Sequence, residues 1–284
     1  MGDNPDLREL TIAVIGMGLM GGSLLMALQS KCRKLIGIDE NPEIIALAEQ
    51  LDLAEVISDD PGASLSEADV IVLATPVFSI LSYLHEIPSL FAGSAIVLDL
   101  GSTKEEIFRV MEGLPARFDP IGGHPMCGKE KGSLKNADPQ IYQEARFALT
   151  PLNRTSLRAR HIAEQIVIAV GALPLWIDPV THDIWTASTS HFPYLIANLL
   201  AACTPAESQP LVGPGFRSTS RLAGTNVTMM MDTILTNRER ILSAAEIFIN
   251  HFNSLVSALE AQNFDLLHTQ LVQGRERYLS LTDG

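Results

Sequence analysis

Short hydrophobic runs alternate with longer amphipathic stretches along the first part of the chain. Runs rich in β-branched residues, separated by helical patterns, are typical of parallel strands joined by helices that cover both faces of a sheet. The pattern predicts strands over residues 11–15, 35–38, 70–74, 95–98, 118–121, 147–150 and 173–177. A helix over about residues 156–170 precedes the last of them.

The strand pattern disappears after residue 181, and the rest of the chain predicts helices over about residues 181–202, 224–237, 238–259 and 264–278. Apolar residues recur there every three or four positions. In the longest helix these are Ile241, Ala244, Ala245, Phe248, Phe252, Leu255 and Leu259. We therefore predict an α/β domain with a mainly parallel sheet over residues 1–178, followed by an all-α domain over residues 179–284. Since the apolar stripe needs a partner surface, a homodimer through the helical domain is our hypothesis.

The first predicted strand leads directly into a glycine-rich turn, Gly16-Met17-Gly18-Leu19-Met20-Gly21, and a helical pattern follows. Between a strand and a helix, this spacing is a signature of dinucleotide binding. Gly16 permits the tight turn, Gly18 lets the backbone approach a pyrophosphate, and Gly21 lets the helix pack closely on the strand. The N–H groups at the start of the helix then face the phosphates. The turn predicts a Rossmann domain, with Leu19 and Met20 also in the cofactor-binding segment.

Two further segments refine the cofactor prediction. Asp39 ends the second predicted strand, where a carboxylate can accept hydrogen bonds from both ribose hydroxyls of NAD and would repel the additional phosphate of NADP. Thr75 and Pro76 follow the third strand, where a loop passes beside the cofactor. Because open α/β sheets bind ligands at the carboxyl ends of their strands, we expect NAD at this edge.

Composition and charge narrow the class of partner. Hydrophobic residues make up 46% of the chain and charged residues 19%, which is typical of a globular protein. The net charge of -13 argues against nucleic acid as a partner. The apolar stretches are too short or too interrupted to span a membrane. The three cysteines are widely spaced and form no C-x-x-C pair, so we expect no metal site and a reducing, cytoplasmic location.

His124 is the strongest candidate for a catalytic residue. It lies in a glycine- and proline-containing segment, Gly122-Gly123-His124-Pro125, which we predict to be a loop just after a strand. A dehydrogenase needs a base that removes a hydroxyl proton as hydride leaves, and the pKa of histidine suits that task.

Three other residues have both a functional and an ordinary interpretation. His191, which precedes Phe192-Pro193 on a predicted helix, either faces a cleft or belongs to a solvated helix face. Arg217 and Arg221 belong to a glycine-rich segment; surface arginines are usually only solvated, but two of them beside glycines and hydroxyls can bind a carboxylate through bidentate contacts.

Five motifs, in this order, resemble those of the prephenate and arogenate dehydrogenases of tyrosine biosynthesis. They are the G-x-G-L-M-G-G-S turn, the D-x-G-S-x-K loop at residues 99–104, the G-G-H-P-M-x-G segment around His124, the S-H-x-P segment at His191 and the G-F-R-x-T-S-R segment ending at Arg221. Each motif alone is modest, whereas the ordered set is specific and extends over nearly the whole chain.

The resemblance implies an NAD-dependent oxidative decarboxylation of prephenate. His124 would act as the base, Ser102 would lie near the nicotinamide and His124, His191 would line the substrate pocket, and Arg221 would hold a substrate carboxylate. Many relatives carry Thr at the position of Lys129 and Asp at that of Ser218, so the chain departs from the pattern there. Lys129, as an added cation, would favour the anionic prephenate.

Three alternative functions stay open on sequence grounds. Arogenate dehydrogenase differs only in the side chain of its substrate, which is an amino acid in arogenate and a keto acid in prephenate. A β-hydroxyacid dehydrogenase has a similar cofactor turn but uses a lysine in the helical region, and this chain has no lysine after Lys135. A non-catalytic NAD-binding protein would bind the cofactor without turnover.

Overall fold

The structure is a computed structural model that describes residues 6–129 and 132–282. The outermost residues of the two predicted domains, residues 1–5 and 283–284, therefore lie outside the described chain. Among the described residues, eight strands form one sheet. The strands are β1 (Thr11–Ile15), β2 (Lys34–Ile38), β3 (Val56–Ser58), β4 (Val70–Leu73), β5 (Ala95–Asp99), β6 (Phe118–Pro125), β7 (Arg146–Pro151) and β8 (Leu173–Trp176).

The strand order is β3-β2-β1-β4-β5-β6-β7-β8. Strands β1 to β6 run parallel, β7 pairs antiparallel with β6, and β8 runs parallel to β7. The first six strands have the order of a doubly wound dinucleotide-binding sheet. This confirms the predicted Rossmann-type, mainly parallel fold followed by helices.

The α-helices lie between the strands and after β8. They are α1 (Leu19–Leu28), α2 (Pro42–Gln50), α3 (Pro61–Ser64), α4 (Val77–Leu90), α5 (Glu105–Glu112), α6 (Leu157–Ala169), α7 (Pro179–Thr186), α8 (Phe192–Cys203), α9 (Pro214–Ser220), α10 (Val227–Thr236), α11 (Arg238–Glu260) and α12 (Phe264–Thr282). One π-helical segment, Ala187–His191, joins α7 to α8. In the part of the chain that the structure describes, no helix is long and apolar enough to cross a membrane.

Alternate residues of the central strands enter different cores, as expected for a sheet covered on both faces. Ile12 and Val14 belong to a buried cluster that includes residues of α1 and α6. Ala13 and Ile15 belong to a second cluster with residues of α4 and α5. Because both faces of β1 are buried, its sequence is a continuous apolar run.

The structure differs from the sequence predictions at three places. The short strand β3 was missed because its three residues are only half-buried and carry little periodicity. The glycine-rich segment from Pro214 to Ser220, for which no helix was predicted, is a helix. His124 lies within β6, not in a loop, because β7 pairs with this extension of the strand.

The glycines that suggested a loop are required by the sheet itself. A Cβ atom on Gly122 would lie 2.0 Å from Thr150 Oγ1, and one on Gly123 would lie 2.8 Å from the Asp99 carbonyl oxygen. A glycine inside a strand often marks a position where a neighbouring part of the chain approaches the backbone closely. The glycines therefore let β6 continue to His124.

The chain divides into two compact units, one up to Asn237 and one from Arg238 onwards. In the second unit α11 and α12 pack against each other, and the Gln270 side-chain amide donates a 2.7 Å hydrogen bond to Ser254 Oγ. The predicted domain boundary at residue 178 stays a prediction.

Candidate active site

The glycine turn between β1 and α1 is held by close backbone contacts. Gly16 has a positive φ of 95°, which side chains rarely adopt. A Cβ atom on Gly21 would lie 1.8 Å from the Gly16 carbonyl oxygen, so the helix can pack this closely only with glycine. Among residues 6–129 and 132–282, no heavy atom beyond the adjoining chain lies within 4 Å of the Cβ position on Gly18. The backbone at Gly18 thus borders open space at the start of α1, where a pyrophosphate fits.

Asp39 lies at the carboxyl end of β2 and connects that strand to the glycine turn. Its carboxylate accepts a 2.8 Å hydrogen bond from the Met17 N–H and a 3.0 Å bond from the Asn41 N–H. One bond reaches each oxygen, so each keeps a free lone pair. The fixed carboxylate beside the turn is suited to two ribose hydroxyls.

The loop after β4 contributes the other predicted cofactor residues. The side-chain hydroxyl of Thr75 is buried and has no hydrogen-bond partner within the described chain, whereas Pro76 is exposed. A buried hydroxyl without a partner is costly unless a ligand supplies one. In the turn itself Leu19 is buried, and the Met20 carbonyl accepts a 2.7 Å hydrogen bond from the Tyr142 hydroxyl. The open backbone at Gly18 and the unpartnered Thr75 hydroxyl both fit bound NAD.

A buried ion pair supports the loop that follows β5 and the neighbouring strand β6. The Asp99 carboxylate and the Lys104 ammonium are both fully buried and bond to each other. Asp99 also accepts hydrogen bonds from Gly101 N at 2.8 Å and Gly123 N at 3.4 Å. Burial raises the pKa of Asp99, against the opposing effect of Lys104. The pair therefore connects the loop that carries Ser102 to the strand that carries His124.

His124 is the first member of a hydrogen-bonded chain of three side chains. Its Nδ1 atom lies 2.9 Å from Nε2 of His182, and Nδ1 of His182 lies 2.7 Å from Oδ1 of Asp183. Asp183 is fully buried and caps the start of α5, accepting 2.8 Å hydrogen bonds from the N–H groups of Lys104 and Glu105. This arrangement fixes the ring of His124 at the carboxyl edge of the sheet.

His124 is suited to act as a neutral base. Burial lowers the pKa of His124 well below its ordinary value, and the nearby His182, Lys104 and His191 act in the same direction. The residue as a whole nevertheless keeps partial exposure to solvent. A histidine that stays neutral and can still be reached by a substrate meets the requirement for general-base catalysis.

His191 is buried in the π-helical segment before α8. Its Nδ1 atom lies 3.0 Å from the side-chain nitrogen of Asn237, which also donates a 2.8 Å hydrogen bond to the Asp183 carbonyl oxygen. Burial lowers the pKa of His191 to about 4. Its Nε2 atom is buried without a partner within the described residues, which is the condition expected of a ligand-binding group.

Hydroxyl groups join the loop after β5 to α10. Ser102 Oγ lies 3.0 Å from Thr233 Oγ1, and Thr103 Oγ1 lies 2.8 Å from Thr236 Oγ1. In addition, the Phe78 N–H at the start of α4 donates a 3.2 Å hydrogen bond to Asp232. Helix α10 thereby contacts two loops at the cofactor edge of the sheet and holds Ser102 in place.

The predicted basic residues are exposed at the surface. Arg217 and Arg221 are exposed, on α9 and in the turn after it, and both elements pack against α8, the helix that follows His191. Lys129 is exposed, and its ammonium bonds to Asp138 Oδ2 at 3.1 Å and to the carbonyl oxygen of Asn136 at 3.2 Å. No group of three or more potential metal ligands occurs within residues 6–129 and 132–282.

Two protein-family models match the chain, one after the other. The model described as "Prephenate dehydrogenase, nucleotide-binding domain" matches residues 24–173, and the one described as "Prephenate dehydrogenase, dimerization domain" matches residues 178–273. The chain belongs to the prephenate dehydrogenase family. The first match begins after the glycine turn. The geometry of that turn is therefore separate evidence, independent of the family model, that this family member binds a nucleotide.

Individual relatives agree with this family. Prephenate dehydrogenase of Bacillus subtilis (strain 168) is 29% identical over 267 residues, covering 90% of this chain and 72% of the relative. The crystal structure of prephenate dehydrogenase from A. aeolicus, in complex with hydroxyphenyl propionate and NAD+, is 25% identical, covers 98% of this chain and 100% of that chain, and has a TM-score of 0.87. Synechocystis arogenate dehydrogenase is 27% identical, with coverages of 95% and 100% and a TM-score of 0.80.

The family member is accordingly an NAD-dependent dehydrogenase that acts on a cyclohexadienyl substrate. This confirms the resemblance inferred from the ordered motifs, and it decides against the β-hydroxyacid dehydrogenase and the non-catalytic alternatives.

Four residues of the hydrogen-bonded cluster were not identified from the sequence: His182, Asp183, Thr233 and Asn237. The adjacent His182-Asp183 pair at the start of the helical half was the available signal, since a buried histidine beside a carboxylate is a common catalytic arrangement. Thr233 and Asn237 gave no signal, because isolated polar residues on a predicted helix usually face solvent.

Proposed function

We propose that the chain catalyses the NAD-dependent oxidative decarboxylation of prephenate to 4-hydroxyphenylpyruvate. The C–H electron pair of the ring carbinol carbon leaves as hydride, and bound NAD accepts it to become NADH. The hydroxyl proton goes to His124, the C–O bond becomes a carbonyl, and the ring carboxylate leaves as CO2. The electron pair of the broken C–C bond then completes the aromatic ring, and the ring oxygen regains a proton.

One observation carries this proposal: a partly accessible His124, held neutral by burial, at the same edge of the sheet as the glycine turn and Asp39. Strands β1, β4, β5 and β6 are parallel, so their carboxyl ends share that edge. A base placed there can reach a hydroxyl whose carbon faces a dinucleotide lying across the strand ends. Aromatisation drives the reaction, so orientation and one proton transfer are the main requirements.

The other predicted site residues receive substrate roles in this proposal. Ser102 lies in the loop after β5 and orients the reacting part of the substrate near the nicotinamide. His191 donates from its buried Nε2 to a substrate oxygen. Arg221 binds a substrate carboxylate through its guanidinium, and Arg217 adds positive charge on the same helical segment. Lys129 contributes charge only in part, because Asp138 already pairs with it.

Prephenate and arogenate are distinguished by assaying both. We expect NADH formation with prephenate, with release of CO2 in equal amount, and a lower kcat/KM with arogenate. Arogenate is the second candidate because the Synechocystis arogenate dehydrogenase covers nearly the whole chain. A higher kcat/KM with arogenate would assign that substrate instead, and NADH formation with neither would refute the proposed activity.

Asp39 should determine the preference for NAD over NADP. Asp39→Asn keeps the size of the side chain but removes the charge, so we expect about tenfold weaker NAD binding, or ~1.4 kcal/mol. Binding of NADP should become tighter, since the repulsion of its 2′-phosphate is lost. Titration calorimetry with each cofactor measures both effects.

Glu40→Gln is the matched control for Asp39, because it removes the same charge from the adjacent exposed side chain. It should leave both affinities nearly unchanged. Equal NAD affinity in Asp39→Asn and the unmodified protein would show that Asp39 does not contact the ribose.

We also infer that the chain forms a homodimer through its helical half. Support comes from the family model of a dimerization domain over residues 178–273. Several large apolar side chains on α11 and α12 are exposed in the single chain, including Ile247, Phe252, Phe264 and Leu271. Large exposed apolar patches of this kind usually mark a protein interface.

A further inference from the structure

We propose that His182 and Asp183 are positioning residues that fix the His124 ring in the tautomer whose Nε2 is the unprotonated base. This inference rests on the proposed function in one respect only, the role of His124 as the base. It assigns a task to two buried side chains that would otherwise have no part in the reaction.

The argument begins at Asp183, whose carboxylate can only accept hydrogen bonds. Oδ1 accepts from the Lys104 N–H at 2.8 Å, and Oδ2 accepts from the Glu105 N–H at 2.8 Å. These backbone donors at the start of α5 also favour negative charge. The 2.7 Å contact from His182 Nδ1 to Oδ1 must therefore have its proton on the histidine.

As long as the His182 ring is neutral, its tautomer then determines that of His124. A neutral imidazole that carries its proton on Nδ1 has a lone pair on Nε2. His182 Nε2 lies 2.9 Å from His124 Nδ1, so the proton of this second bond belongs to His124. His124 consequently has no proton on Nε2. That atom is then free to accept the hydroxyl proton of a substrate.

The contacts of His191 indicate the other tautomer, with the proton on Nε2. The Asn237 side-chain nitrogen donates to the Asp183 carbonyl oxygen at 2.8 Å, which fixes the orientation of the amide. The same nitrogen faces His191 Nδ1 at 3.0 Å, so Nδ1 accepts and the His191 proton is on Nε2. The two histidines thus differ in function: His124 presents an acceptor and His191 presents a donor.

The same contacts stabilise the charge that forms during the reaction. Protonation of His124 creates an imidazolium whose Nδ1–H still bonds to His182, which is in turn bonded to the Asp183 carboxylate. The charged or titratable groups around His124 are His182, His191 and Lys104, with Asp183 and Asp99 behind them. Asp183 is the carboxylate that can compensate the new charge through His182 without itself taking up a proton.

The tautomers can be measured directly without substrate. Nitrogen-15 NMR of the histidine-labelled protein with NAD bound distinguishes the protonated from the bare ring nitrogen, and single His→Asn variants assign the signals. We expect the neutral rings of His124 and His182 to carry the proton on Nδ1 and that of His191 to carry it on Nε2. A proton on His124 Nε2 in the neutral ring would overturn the proposal.

Two substitutions of His182 test the kinetic consequence. His182→Phe keeps the ring volume but removes both nitrogens, and we expect kcat to fall about 100-fold. The KM values should change little, and the acidic limb of the pH profile should move. His182→Gln places an amide oxygen near the position of Nε2, and this oxygen can accept a hydrogen bond from His124. Its kcat should therefore be about tenfold higher than that of His182→Phe.

Combining His182→Phe with His124→Asn shows whether His182 acts by positioning His124 or whether its loss damages the structure in general. If His182 acts through His124, adding His182→Phe to that variant should leave its residual rate unchanged, since residues acting as a unit are not additive. An additional 100-fold loss in that background, or an unchanged kcat in His182→Phe alone, would contradict the positioning role. If NMR shows the expected tautomers but the protein turns over neither prephenate nor arogenate, the proposed function is rejected and the tautomer assignment stands.

Discussion

Replacing His124 with asparagine is expected to lower kcat about 1,000-fold, the range in which the loss of a positioned general base falls. Asparagine is similar in size and can keep a hydrogen bond towards His182, but it cannot take up the hydroxyl proton. Hydride transfer from an alcohol that keeps its proton would leave a protonated carbonyl, which is a much poorer product. The change should therefore appear in kcat more than in KM. Steady-state and single-turnover formation of NADH measure it.

The pH profile of the unmodified protein gives a second test of the same residue. Because burial lowers the pKa of His124, and His182, Lys104 and His191 act in the same direction, the neutral base persists to lower pH than in a free histidine. The acidic limb of kcat/KM should accordingly lie below pH 6.5, the ordinary histidine pKa. His124→Asn should lack that limb.

The matched control is His85→Asn, which changes an exposed histidine on α4. It should keep the normal rate, the acidic limb and the affinity for NAD. An undiminished rate in His124→Asn would show that another group, or solvent, takes the proton. Weaker NAD binding in parallel with the loss of rate would show that the substitution has disturbed the cofactor site.

The fold was largely predictable because its determining signals are local. The continuous apolar runs of the buried strands and the glycine turn after β1 identify a parallel dinucleotide-binding sheet without reference to distant contacts. The direction of β7 was not predictable in this way, since periodicity reveals a strand but not the strand beside which it lies. The missed extension of β6 has the same cause: pairing with β7 turns the expected loop around His124 into a strand.

The direction of β7 also explains which parts of the site escaped prediction. His124 is level with Ala148 on β7, which is level with Leu175 on β8, and α7 begins three residues after β8 ends. This places His182 against His124, although 58 residues separate them in the sequence. Residues whose role follows from a local motif, such as Gly18 and Asp39, could be found. Those whose role depends on the strand order could not.

The buried ion pair beneath the site leads to the largest expected change in stability. Lys104→Met keeps most of the side-chain volume but leaves the Asp99 carboxylate buried without its cation, and we expect the free energy of unfolding to fall by about 3–5 kcal/mol. Both side chains are fully buried, so solvent cannot screen the remaining charge. Urea unfolding of the NAD-free protein measures the loss.

The pH dependence identifies the cause of that loss. Burial already raises the pKa of Asp99 in the presence of Lys104, and removing the ammonium must raise it further. A carboxyl group with a higher pKa in the folded state binds more protons when folded than when unfolded. The stability of Lys104→Met should therefore decrease as the pH rises from about 4, the unfolded-state value, through the raised folded-state pKa.

Two further variants show whether the buried charge is responsible. Asp99→Asn added to Lys104→Met removes the uncompensated carboxylate, so it should restore part of the stability and abolish the additional pH dependence. Lys34→Met breaks the surface ion pair with Glu67, whose carboxylate lies 2.7 Å from the ammonium, and should cost much less stability because solvent screens the charges. Equal losses in Lys34→Met and Lys104→Met would mean that the Asp99–Lys104 pair contributes no more than a surface contact. The loop that carries Ser102 and the strand that carries His124 would then owe their positions to the backbone hydrogen bonds alone.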